Sequence, residues 1–156
     1  MTKLSQPSQE SEVDASVRLP VLIFFGCAAS WLALGTFLGA LAALKLIWPG
    51  FLDGPAFFTY GRIVPAAVNA LVYGWASSAA LGIALWMLAR LGRTPLGYAV
   101  LPVAAAICWN LGVFLGICAI LGGYSRSIFL LEFPGFISAI LFGAYIFVAI
   151  WGILLF

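Results

Sequence analysis

The chain has 156 residues, 65% of them hydrophobic and 8% charged, with a net charge of +2 and no histidine. A soluble domain is roughly half apolar and about a quarter charged, so this composition excludes a water-soluble fold and describes an integral membrane protein. The charge is too small to argue for nucleic acid, and without imidazole the commonest metal ligand and general base are both lacking.

Residues 1–18 include Glu10, Glu12 and Asp14 and read as a polar, disordered tail. The apolar run behind them is too long for the ~7–15-residue core of a signal peptide. Four apolar stretches follow, each with the ~20 residues that cross a bilayer, at about 19–48, 65–90, 98–123 and 134–156. Pro20 suits the first turn of the first span, and Trp48-Pro49-Gly50 ends it. This span is over-long, so tilt or a protruding end is expected. The loop that follows carries Asp53-Gly54-Pro55 turn chemistry, then Phe57, Phe58 and Tyr60, aromatics suited to the membrane interface. Pro65 opens the second span, Arg90 closes it, and Leu91–Gly97 forms a short turn-like linker. The fourth span reaches Phe156 without a polar or basic flank, as expected of a truncated relative or of part of a longer polypeptide.

Small residues four apart let helix backbones approach closely. Gly35 and Gly39 have this spacing, as do Gly112 and Gly116, and Gly74 with Ser78 and Gly82. The amides Asn69 and Asn110 need partners inside a bilayer, and an interhelical hydrogen bond is the expected one. A contact with a cofactor edge or with another subunit is the alternative. Cys27, Cys108 and Cys118 all stand in apolar runs and read as small buried hydrophobes. Ionisable residues inside a bilayer are expensive and usually functional. Here Asp53 and Glu132 fall in loops, and Lys45 is near enough to its helix end to snorkel. That pattern argues against a proton-coupled transporter. No Ser/His/Asp set, carboxylate pair or metal-ligand spacing is present, so catalytic and metal residues are assigned to none. With Lys3, Arg18, Arg90 and Arg93 on one side and Lys45, Arg62 and Arg126 on the other, the positive-inside rule puts the N-terminus in the cytoplasm.

Several segments together carry a family resemblance. They are Ser30-Trp31-Leu32, Leu44-Lys45-Leu46-Ile47-Trp48-Pro49, Tyr60-Gly61-Arg62, Pro65, and Asn69-Ala70-Leu71-Val72-Tyr73-Gly74-Trp75-Ala76-Ser77. Trp109-Asn110-Leu111-Gly112, Leu121-Gly122-Gly123-Tyr124 and Leu131-Glu132-Phe133-Pro134 continue the likeness. The chain resembles the first four helices, about a third, of subunit I of a C-family (cbb-type) haem-copper cytochrome c oxidase. In that family a His two residues after the Pro ligates the low-spin haem; here Ala67 holds the position, followed by Val68 instead of Thr. The family's remaining haem and copper ligands lie on later helices.

The expected fold is therefore all-α: four transmembrane helices resembling the start of the haem-copper oxidase subunit I bundle. What the resemblance implies is a non-catalytic subunit, a structural part of such an oxidase or of an associated respiratory electron-transfer complex, in a bacterial inner membrane. The chain itself would hold no cofactor, haem and copper being on partner chains. Gly35, Gly39, Asn69, Gly74, Trp75, Asn110, Gly112 and Gly116 are the packing or interface candidates. The alternatives are the N-terminal piece of a split or truncated working subunit I, and a small assembly factor.

Overall fold

In a computed structural model the described residues, 6–93, 97 and 100–155, form four helices long and apolar enough to cross a membrane, and no strand. The chain is an all-α integral membrane protein. Helix α1 runs Gln6–Ile47, α2 Tyr60–Gly92, α3 Val100–Gly122 and α4 Gly135–Leu155. Of the expected tail, residues 1–5 lie outside the described residues, as do Thr94–Leu96 of the linker, Tyr98, Ala99 and Phe156.

The first departure is at the N-terminus. Residues 6–18 are not an irregular tail but the first turns of α1. At 1.5 Å per residue its 42 residues span about 63 Å, roughly twice a ~30 Å hydrocarbon core. Two interactions hold the extra turns. Val13 and Val17, one helical turn apart, are 2% exposed and join Phe24, Leu85, Ala89, Ala106 and Trp151 in one cluster. Asp14 meets Arg90 of α2 in a two-pronged ion pair, Nε to Oδ1 at 2.7 Å and Nη2 to Oδ2 at 2.5 Å.

The second departure is in α2, which begins five residues ahead of Pro65, after a 3₁₀ turn at Ala56–Phe58. The N–H that Pro65 lacks would have met the carbonyl of Gly61, an exposed residue. Between Asn69 and Ser77 the helix widens into a π stretch, Ala70–Ala76. In it the N–H of Ser77 reaches back five residues to the Val72 carbonyl, which also accepts the Ser77 hydroxyl at 2.9 Å. The α2 helix ends at Arg93 in the left-handed conformation, φ 49°.

Helix α1 lies along both halves of α2, α3 packs across both, and α4 packs chiefly on α3. Glycines decide how close these helices come. A Cβ on Gly74 would stand 2.5 Å from the Trp31 ring, and one on Gly35 2.8 Å from Leu71, so each helix seats a large side chain directly on a glycine of the other. On α3, Gly112 admits Leu141 of α4 in the same way, with 2.9 Å left for a Cβ. Gly39 does not share this role: no atom lies within 4 Å of its would-be Cβ, so its spacing to Gly35 is incidental. Trp75 is 41% exposed on the outer face, because its neighbour Gly74 is the residue turned toward α1.

Polar side chains inside the bundle are mostly satisfied. Asn110 Oδ1 accepts the Trp31 indole N–H at 2.8 Å, tying α3 to α1, while its own amide donates to Ala106 O. The Trp109 indole donates to the Tyr73 carbonyl in the π stretch at 2.9 Å. Cys27 and Cys108 are half-buried against the core, but Cys118 is exposed on α3, on the outer face, and so is not a buried hydrophobe. Lys45 is 8% exposed, and its Nζ lies 3.7 Å from Asp53 in the loop beyond the end of α1.

Candidate functional site

The segment between α3 and α4 does not stay at the surface. The α3 helix ends in a Schellman motif: Gly123, at φ +94°, donates to Ile120 O, and Tyr124 donates to Ala119 O. Arg62 of α2 completes this end, its guanidinium donating to Leu121 O at 3.1 Å where the helix dipole is negative. The chain then turns at Ile128–Leu131, with Leu130 held at φ 65° and Leu131 N donating to Ile128 O. A non-glycine residue in that conformation is strained by about 1–2 kcal/mol. From there the chain dives back into the bundle.

Phe133 reaches its endpoint against Gly116, where a Cβ would stand 2.5 Å from its ring. Gly116 lies six residues before the end of α3, about 9 Å down the helix. Phe133 is fully buried, with its ring 5.2 Å from that of Tyr73. Glu132 is carried down with it. Although it belongs to a loop, Glu132 is only 8% exposed. The carboxyl accepts a hydrogen bond from Asn69 Nδ2 of α2, a residue 0% exposed. Glu132 does lie in a loop, as the sequence predicts, but it is buried within the protein. Its burial accompanies that of Phe133, which packs on the distant Gly116, a contact that residue type alone does not report.

Asn69 sits at the junction where α2 passes from α to π geometry, a place where functional sites recur. Both protons of its amide are used, one on Glu132 Oε2 and one on Pro65 O at 2.8 Å. Its carbonyl oxygen Oδ1 is buried and has no partner among the described residues. Nearby, Tyr73 lies within the field of the Glu132 carboxyl, and the Tyr145 ring of α4 stands edge-on to Trp109 at 4.8 Å. No cation reaches Glu132 within ion-pair distance among the described residues. Arg62 is spent on the end of α3, Lys45 faces Asp53, and Arg126 donates its backbone N–H to Glu132 O while its guanidinium lies over Gly135.

The position that resembles the family's haem-ligand site is a different environment. Ala67 is 5% exposed within the main core cluster, and its carbonyl lies 3.4 Å from where a Gly35 Cβ would be. Its methyl cannot ligate iron. The residues present do not fit a haem there. Among the described residues no group of three or more His, Cys, Asp or Glu side chains comes together as a metal site. Asn110 is brought to an interhelical partner, Trp31, and Asn69 instead to the Glu132 carboxyl of the α3–α4 loop, whereas Trp75 is exposed and Gly39 meets no neighbour. Of the resembling Gly-Arg pair, Gly61-Arg62, the arginine serves here to cap α3.

Comparison with models of known families, with curated proteins and with solved structures found no significant match to this chain.

Proposed function

We propose that the chain is a non-catalytic membrane subunit, similar in sequence to the first four helices of cytochrome c oxidase subunit I, and a structural part of a haem-copper oxidase or an associated respiratory electron-transfer complex. Haem and copper reside on partner chains, and the setting is a bacterial cytoplasmic membrane with the N-terminus inside. The observation that carries this reading is Ala67. It stands in a stretch of resembling residues, and the space beside it is filled by the α1–α2 contact at Gly35. A bundle that keeps helix-packing residues and closes the ligand position suits a part that supplies helices to an assembly. The outer faces of the helices supply the surface: Phe136, Phe142 and Ile153 on α4, and Ile107 and Phe114 on α3, are all more than half exposed.

Affinity capture of the tagged chain from its native membranes, followed by identification of what co-purifies in stoichiometric amount, tests the proposal. The expected partner is a polypeptide carrying histidine ligands for haem and copper. Recovery of the chain with lipid alone would overturn it.

A further inference from the structure

We propose that the groove between the extended start of α1 and the end of α2 binds one anionic phospholipid, its phosphate on Arg18 and an acyl chain along Val21, Leu22 and Trp86. Three observations carry the inference. The first is the cavity itself, an open groove of about 430 Å³, within the ~300–1,000 Å³ range of small-molecule sites. One face of α1, repeating every three or four residues from Ser11 to Leu22, sets its length, and Trp86 of α2 forms its wall. The second is charge. Asp14 lines the groove but is already matched by Arg90, whose guanidinium also lies 5.6 Å from the centre of the Trp86 ring. Arg18, one turn along from Asp14, is exposed and makes no hydrogen bond or ion pair among the described residues. Glu12, the other acid at this end with a described side chain, does not line the groove.

Two guanidiniums against one carboxylate leave a surplus of positive charge, and the unpaired fork of Arg18 suits two phosphate oxygens. Basic pockets between transmembrane helices take anionic head groups on these terms. The third observation is a gradient of polarity along the groove. Arg18 is the last charged residue before the apolar run that begins at Leu19. Past it the lining is Val21, Leu22 and the Trp86 ring, with Leu22 57% and Trp86 44% exposed. Phe25 continues the same surface: it is 40% exposed, and its ring lies 3.6 Å from where a Cβ on Gly82 would stand. Gly82 is one turn from Trp86, so the apolar track follows the α1–α2 seam. A free phosphate would use the Arg18 end alone. A molecule with an anionic head and a hydrocarbon tail matches both ends, with the indole at head-group level. A lipid seated there touches both helices and so helps to hold the α1 extension against α2. The site is built by this chain alone and is independent of the proposed assembly.

Thermal unfolding of the full chain in a zwitterionic detergent, with phosphatidylglycerol, phosphatidylcholine or inorganic phosphate added, tests this directly. A ligand that binds only the folded chain raises its melting temperature. Phosphatidylglycerol should raise it by several degrees at concentrations where phosphatidylcholine and inorganic phosphate have no effect. Arg18→Gln, which breaks no described bond, should melt like the wild type without lipid and lose the shift. Ala15→Trp, which fills the groove but keeps its charges, should lose the shift too. Equal shifts from the two lipids, the same shift from inorganic phosphate, or a phosphatidylglycerol shift that survives either substitution would overturn the proposal. The wild-type comparison decides even if a variant fails to fold.

Discussion

At the scale of single residues, the bundle depends on glycines that have specific neighbours. Gly74 faces both the Cβ and the ring of Trp31, and the Cβ cannot swing aside. Gly74→Ala should therefore destabilise the chain by about 1–3 kcal/mol, the usual cost of forcing an extra methyl into a packed contact. Gly39→Ala, which meets open space, should leave stability unchanged or raise it slightly by gaining helix propensity. Thermal unfolding of both variants in the same detergent checks the pair; equal losses would mean that the α1–α2 approach is not set at Gly74. Ala67→His is the companion test. A bulky ring at a position only 5% exposed should cost about as much as Gly74→Ala, and the variant should not gain a haem spectrum.

Spacing alone could not separate Gly35 from Gly39, because helical period places both on one face but does not say where the partner helix crosses. Asn69 and Asn110 were legible as buried amides in need of partners. Glu132 was legible as a loop residue but its burial was not, since that accompanies Phe133 seating on Gly116, a contact that no local pattern encodes.

At the scale of elements, apolar run length predicted four helices because a bilayer leaves no other way to satisfy backbone polar groups. It failed at the edges, where that constraint relaxes. The polar residues ahead of Leu19 read as a tail by composition, yet Val13 and Val17 at helical spacing were an available signal for a continued apolar stripe. The π stretch had no local signal. Its role is visible only in three dimensions, where the Tyr73 carbonyl accepts the Trp109 indole from α3. The α1 extension is held by the Asp14–Arg90 pair together with that stripe. Arg90→Ala should therefore loosen it and speed limited proteolysis ahead of Leu19 several-fold, while the membrane-embedded part stays intact. Cleavage at the wild-type rate would show that the valines suffice.

At the scale of the whole molecule, two ends of unequal character emerge. One is a helical extension stapled by an ion pair; the other holds a capped helix, a strained turn and a buried carboxyl. Between them the helices pack through small residues and leave wide apolar faces to the bilayer or to neighbouring chains. The central proposal is that the chain, whose sequence resembles the start of an oxidase subunit I, holds no haem of its own. The most direct measurement is a reduced-minus-oxidised absorption spectrum of the chain purified free of partners, with haem quantified against protein. The account predicts a flat spectrum from the isolated chain, with haem bands only in fractions that retain a partner; one haem per isolated chain would contradict it.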